Sequence, residues 1–533
     1  MTFGAPTHQK SKVTTRSAPI KGINALDSIT SMPEGSALIL RNFYAQPYGC
    51  QVRRGFRKHA VGLLGDVESL CSHNVGVGGD KLYGFVNDAG TGVMYDVTVP
   101  MGTPVQVKTG LTNARWQHVN FPNAAGVNLV AVNGADDLIW IQPNGSIVSV
   151  TSGSGAGNTI SGVNPRALIH VYAHQKRLWF VEKDTTYGWY MPPDQITGVA
   201  KSFNFGPIWT RGGSLIQIIT WTIDDGNGAD DHLAAISSQG EVAIYQGTDP
   251  EGADTWSLQG VYYAGSPIGR RPACRYGGDI LMVTQFGIVY LSDLLKSTKV
   301  NPSQDNTAKY IQQLVAAAIS LTGKQFGWQP FLVPSANMLM VNVPATRYTS
   351  FQFVMNDITK AWSQFIGYEA HSWELHQNLP FFGGNGAVYR AWEGTTDDAS
   401  IDPNTGIITR GADIRAEAQT SFSYFDSLGA QKHYKMIRPT ILSSGEFSIN
   451  FSVNTDFTFD SPLAPAAFNL RDPGRWDQDN WDAVNWEGGV KTFKTWQAVT
   501  GIGTAASMRL LMRSSEETYW ASTDWVYELG GIM

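Results

Sequence analysis

Between Asp231 and Asp293 the chain uses one pattern twice, and few folds can absorb it. His232–Tyr245 (HLAAISSQGEVAIY) places two short apolar runs on either side of a Ser-Gln-Gly turn. Asp279–Ser292 (DILMVTQFGIVYLS) does the same around Gln285, Phe286 and Gly287. Apolar runs of this length, split by a glycine-bearing turn, predict tight β-hairpins. Between them Gln246–Pro250 reads as a loop, and Trp256, Tyr262 and Tyr263 supply the bulky faces of a further strand or two. One such unit is about what a four-stranded propeller blade requires.

The pattern recurs in degenerate form at Lys81–Val86 with Gly92–Tyr95, Asn128–Val132 with Leu138–Ile141, and Ala167–Tyr172 with Arg177–Val181. It returns at Asn337–Val343 with Ser350–Val354 and at Pro380–Gly383 with Ala387–Trp392. Seven blocks at spacings of about 40 to 60 residues fall in the range of propeller repeats. Because the residues themselves repeat poorly, a pair of β-sandwiches is the competing architecture. With 56 Gly and 25 Pro in 533 residues, and only 16% charged, short strands and tight turns should dominate and helices be scarce. One helix is expected after Pro302, where Thr307, Ile311, Leu314, Val315 and Ala318 form a one-sided stripe that Gly323 ends.

The ends have a different texture. Residues 1 to about 30 are polar and aperiodic, and predict an extended arm or a segment disordered until something binds it. Met32–Phe43 and Tyr48–Phe56 contain strands, with Gly49 and Gly55 as turn points. After a polar connector, Thr395–Gly406, strands are expected at Ala416–Phe425, Lys435–Leu442, Phe447–Val453, Met508–Met512 and Trp520–Leu529. The fold class that results is mainly β. It comprises an irregular β-propeller over residues 61–395 and a β-sandwich-like platform domain formed by the N- and C-terminal segments, 1–60 and 396–533. Near the end Trp476, Trp481 and Trp486 recur every five residues, a spacing of neither helix nor strand, and read as a candidate aromatic platform.

A net charge of −6 and a pI of 5.9 argue against a surface built to hold nucleic-acid phosphates, though a mildly acidic wall suits a conduit through which DNA slides. Cys50, Cys71 and Cys274 are too few and scattered for a disulfide framework or metal cage, and point to buried thiols in a reducing compartment. The N-terminus has no apolar core of the secretory kind, and no run approaches the length of a bilayer span. The expectation is a chain made in the host cytoplasm without membrane insertion.

Catalytic patterns are missing. His170 and His174 have the spacing of a zinc helix but lie on a strand and turn, and His371 with His376 fails likewise. There is no nucleophile elbow, phosphate loop or paired-cysteine spacing, so neither a cofactor nor enzyme activity is expected. A glycosidase would need two carboxylates across a sugar, and no pair stands out. Thr248–Trp256 resembles a sialidase turn out of register. Arg53 and Arg54, with Arg57 and Lys58, form a basic cluster able to touch phosphate, and Arg270, Arg271 and Arg275 are the candidate phosphate neighbours of the central region. For both groups a solvated face or a salt bridge at a subunit interface weighs more.

Asn42-Phe43, Gly49 and Val52-Arg53-Arg54-Gly55-Phe56 resemble the asparagine-aromatic, then Arg-x-Gly-Phe entry of tail tubular or nozzle proteins of short-tailed bacteriophages. Tyr245–Pro250, Trp256, Gly265–Arg270 and Gly278-Asp279 resemble a block of propeller-containing phage tail proteins, as do the tryptophan run and Glu528–Gly531. The resemblance implies a structural virion protein of the distal tail, a homo-oligomeric ring, a hexamer, through which DNA is ejected. Its implied partners are tail adaptors, tail fibres, spikes or a needle, and double-stranded DNA passing transiently through the lumen. A carbohydrate-binding or glycoside-cleaving propeller acting as a receptor binder is the alternative.

Overall fold

The computed structural model describes residues 11–530 except 77, 225–228, 253, 297–306, 403–404 and 463–489. Trp476, Trp481 and Trp486 lie outside the described residues, as do residues 1–10. Each of the seven apolar blocks is an antiparallel hairpin, because alternate residues of each run meet partners across a glycine-bearing or polar turn. The result is a large, mostly β fold of several sheets.

Seven units follow one another, each a meander. The first is the latter half of Phe56–His73 with Lys81–Asp88, Thr91–Asp96 and Val105–Leu111. The second runs from Gln117–Asn123 through Gly126–Val132 and Leu138–Ile141 to Ile147–Ser152. The third holds Leu168–His174, Arg177–Glu182, Tyr187–Tyr190 and Lys201–Asn204. The fourth holds Leu215–Asp224, Ala229–Ser237, Glu241–Gly247 and Trp256–Tyr263.

The fifth has three strands, Ala273–Tyr276, Asp279–Thr284 and Gly287–Tyr290. Gln329–Val333, Met338–Pro344, Ser350–Asn356 and Trp362–Ile366 make the sixth. In the seventh, Ser372–His376, Leu379–Gly383 and Asn385–Ala391 are completed by the first half of Phe56–His73. First strands of successive units touch one another, and the first strand of the seventh touches Phe56–His73.

One strand therefore serves two units, and its bend decides where each begins. Gly65 (φ +131°) lies at that bend, where a Cβ would stand 2.1 Å from the Asn87 carbonyl oxygen. A side chain there would meet both steric and dihedral strain.

The chain ends knit together. Thr518–Leu529 pairs with Lys12–Ser17, with Lys432–Ser443 and with Gly49–Val52, whose other edge carries Phe43–Gln46. A second sheet continues the sixth unit outward: Trp362 pairs with Gly22, Ser36–Arg41 pairs with Ala412–Thr420, and Ala506–Ser514 and Phe447–Thr455 follow. The two sheets share a buried core of Leu40, Phe43, Ile437, Met508, Trp520 and Trp525, continuous with Val283 of the fifth unit and Val341 of the sixth.

Three expectations are corrected. From Lys12 the arm is not loose: it is a strand paired in register with the far end of the chain, and Thr15 Oγ1 donates to Asp524 at 2.6 Å. Its alternating polar sequence hides this because it is an edge strand with a wet face. The helix is shorter than its stripe, spanning Gln312–Thr322 after a 3₁₀ turn at Thr307–Tyr310, and Leu314 is not core but 38% exposed. A second helix, Leu291–Lys296, begins where the hairpin block was expected to run on; the Asp279 carboxylate accepts from Ser292 N and Ser292 Oγ and so favours the turn.

Arg53 is a further correction to emerge from the packing. Its guanidinium is fully buried and forked onto Asp397, with N–O distances of 2.7 and 2.6 Å. Breaking a buried pair strands the remaining charge, so Arg53→Met should lower unfolding free energy by about 3 kcal/mol or more. Urea denaturation would show this as a fall in midpoint, and Arg53→Met with Asp397→Leu should recover part of it.

Candidate functional site

The first strands of the units carry polar side chains toward a common centre. Leu70 from the first, Gln117 and His118 from the second, Gln217 from the fourth, Arg271 just before the fifth, and Glu374 from the seventh line a cavity of about 390 Å³. Adjacent residues contribute together, Gln117 with His118 and Trp373 with Glu374 and Leu375, so the cavity is reached at strand ends and edges and not by one alternating face.

Burial sets the charge state of the hub. It pushes Glu374 up to about 8, against the pull of Arg271 and a backbone N–H. It pushes His118 down to about 3, aided by Arg271 and His73, and His170 down to about 3, aided by Arg270. His118 Nε2 stands 3.7 Å from Glu374 Oε2. At neutral pH the carboxyl therefore keeps its proton and both imidazoles lack theirs.

The arginines singled out from the sequence divide. Arg271 donates to Gln329 Oε1 (3.2 Å), Ser69 Oγ (2.9 Å) and the Trp116 carbonyl (2.7 Å). Arg270 donates to the carbonyls of Arg115 and Asn133, and burial with Arg271 alongside lowers it to about 10. Arg275 is exposed and donates to Thr222 Oγ1 at 3.1 Å. None of the three has a carboxylate within ion-pair distance among the described residues.

Of the N-terminal cluster, Arg53 is internal, while Arg57 and Lys58 pair with Glu393 (2.8 Å) and Asp398 (3.1 Å). Arg54 alone of that cluster is exposed. Asp397 and Asp398, from the stretch Thr395–Gly406 expected as a polar connector, and Glu393 just before it are the partners of the basic cluster.

Two further concavities lie away from the hub. A cleft of about 700 Å³ holds Asp66 and Glu68, both buried, with Arg347 on the first (3.2 Å) and Arg115 on the second (3.2 Å). Arg115 also lies 4.5 Å over the Phe326 ring. An apolar groove of about 670 Å³ runs between the helix and the sheet of Ser36–Arg41, lined by Leu38, Ile39, Leu314, Leu321 and Phe351; Leu321 is 84% exposed.

No set of three or more histidine, cysteine or acidic side chains among the described residues is placed to hold a metal. His170 and His174 are not brought together: His174 Nδ1 lies 3.0 Å from Thr220 Oγ1, while His170 Nδ1 has no partner. Cys50 and Cys71 are buried and Cys274 half-buried, all free thiols; burial pushes Cys274 up to about 12 and the other two higher. No described helix is long and apolar enough to cross a membrane.

No family model and no curated protein matches the chain. Solved structures similar to it include PorZ, a surface component of the type-IX secretion system of Porphyromonas gingivalis (12% identity, TM-score 0.40), covering 80% of this chain and 59% of that one. A putative 6-phosphogluconolactonase from Bacteroides fragilis (12%, TM-score 0.34) covers 65% and 92%. The β-propeller domain of Cps50 (Swd1) from Myceliophteria thermophila (13%, TM-score 0.34) covers 64% and 96%. The chain spans about three fifths of the first of these. The strand pairings, rather than these likenesses, carry the description of the fold.

The histidines generate a pH prediction. His59, His118, His170 and His174 sit at about 4, 3, 3 and 4 in the folded chain, against an ordinary 6.5. Between those values the unfolded chain binds more protons, so their contribution is full above 6.5 and is lost as pH falls toward 4. Glu374 works oppositely: raised from 4.5 to about 8, its burial penalises folding increasingly as pH rises across that window. Calorimetric melting should show Tm falling from pH 7 toward pH 4.5, with the slope reduced in His170→Gln. Glu374→Gln should remove the loss between neutrality and pH 8.

Proposed function

We propose that this chain is a structural virion protein, a subunit of the nozzle or tail-tube ring of a phage tail through which DNA leaves. Its seven units form an irregular, seven-bladed β-propeller, and its knitted ends form the sandwich-like platform. The ring order of the first-strand contacts and the strand shared by the first and seventh units support the propeller reading. Residues 61–395 are its span, with 1–60 and 396–533 forming the platform.

The observation that carries the functional reading is the apolar groove beside the platform. Leu38, Ile39, Leu314, Leu321 and Phe351 lie along one open trough, and apolar patches of that kind mark contact sites. Head-to-tail seating of a neighbouring copy closes a ring when the rotation fits. The sixfold number, the tail adaptors, the fibres, spikes or needle, and the virion location come with the phage-tail resemblance.

In this reading the chain performs no chemistry and holds no cofactor. Its contact with double-stranded DNA is made by the lumen of the assembled ring, and Arg54 is the exposed candidate there.

A second reading has one observation in its favour. The cleft holding Asp66 and Glu68 offers two buried carboxylates beside Phe326 and two arginines, as a carbohydrate-binding or glycoside-cleaving receptor binder would. Glycan-array binding lost in Glu68→Gln would favour it.

Mass photometry of the purified chain with its tail partners should find closed rings, and Leu321→Glu should shift them to monomers while leaving the circular dichroism melt unchanged. A monomer at micromolar concentration in the presence of those partners counts against the proposal.

A further inference from the structure

The hub cavity holds an imbalance that neither packing nor ring assembly uses. Burial raises Glu374 to about 8 and lowers His118 to about 3, so near pH 7 the charge among its lining side chains comes from guanidinium groups. Arg271 gives its hydrogen bonds to an amide, a hydroxyl and a carbonyl, and Arg275 to a hydroxyl. Neither meets a carboxylate at ion-pair distance among the described residues.

Beside these arginines, at the Ala273 carbonyl, the imbalance has the opposite polarity. Gln217 is 6% exposed and lines the same space. Its Nε2 donates to the Ala273 carbonyl at 3.2 Å, and its Oε1 has no donor. Buried acceptors are rarely left so unless a ligand or water completes them.

We propose that the hub is a binding site for a small hydroxylated anion, a sugar acid of monosaccharide size. Its carboxylate lies against Arg271 and Arg275, and a hydroxyl donates to Gln217 Oε1. A simple anion answers the guanidinium groups and leaves Gln217 unserved; a neutral sugar does the reverse. The volume of about 390 Å³ lies in the range of small-molecule sites. The protonated Glu374 carboxyl adds a donor for a second ligand oxygen, which an ionised acid would repel. The inference goes beyond the ring proposal and stands on hub geometry alone, so failure of either leaves the other intact.

The test is isothermal titration calorimetry on the full-length chain near pH 7 at low salt, with D-glucuronate, D-glucose and acetate as probes. Glucuronate should bind, with glucose and acetate each weaker by about tenfold or more. Arg275→Gln and Gln217→Glu should each weaken glucuronate by about tenfold, the first by removing charge and the second by opposing it. Arg271 also bridges Ser69, Trp116 and Gln329, so it is left in place; melting of the two variants checks that they fold. Acetate binding as tightly as glucuronate, glucuronate giving no heat, or affinity unmoved in both folded variants would overturn the proposal and leave a hub filled by water.

Discussion

Arg53 is the point from which the architecture hangs. Its side chain has no exposed surface, yet every one of its five N–H groups is used. Nε donates to Asn42 Oδ1, Nη1 to the Arg54 carbonyl and Asp397 Oδ1, and Nη2 to the Ile366 carbonyl and Asp397 Oδ2. Burial alone would lower its pKa, but Tyr368 and Asp397 outweigh that and keep the group charged. The ring of Tyr368 lies 4.3 Å from the guanidinium. A buried charge is tolerable only when satisfied to this degree. Four distant parts of the chain must therefore arrive together: the platform entry, the start of the shared strand, the end of the sixth unit and the segment after the seventh.

The residues flanking Arg53 serve the same junction. Asn42, at φ +54°, also accepts from Ile366 N, so its amide bridges the N-terminal strands and the sixth unit. At Gly55 a Cβ would lie 1.8 Å from the Thr396 carbonyl, a clash with backbone that no side-chain movement relieves. Phe56 then enters an aromatic cluster with Tyr368, Phe382 and Tyr389. The Asn-aromatic and Arg-x-Gly-Phe pieces thus have a mechanical reason to occur together: they are the clasp between chain ends and sheets. A platform held by one polar junction and one continuous apolar core cannot turn freely against the units it joins.

What was legible in the sequence was what is local. Each hairpin is specified within about 15 residues by alternation and a turn glycine, and periodicity reads such signals well. The pairing of Lys12–Ser17 with Thr518–Leu529 joins residues some five hundred apart and leaves no local trace. Arg53 looked like a surface charge because its partner Asp397 lies 344 positions away. The hub was missed for a different reason. The apolar blocks capture mainly the second and third strands of each unit, whereas Gln117, His118, Gln217 and Glu374 sit on first strands whose polar residues lower their apparent β character. A signal was present: Gln217 and Glu374 each interrupt an otherwise apolar run, as a polar side chain directed into a shared cavity must. Within the chain Arg270, Arg271 and Arg275 take carbonyl, amide and hydroxyl acceptors, which cannot be counted from charge.

The scale of the hub bears on what the arginines can do. A cavity of about 390 Å³ accommodates a small molecule and excludes a duplex, whose major groove alone is about 12 Å wide. Arg270 and Arg271 are committed to acceptors inside the chain. Outside the hub the exposed cations include Lys12, Lys21, Arg54, Arg410, Arg415 and Arg513, in a chain whose net charge is −6. Phosphates facing such a wall gain little from counterion release. Arg270 and Arg271 are turned inward, where their field is spent inside the chain.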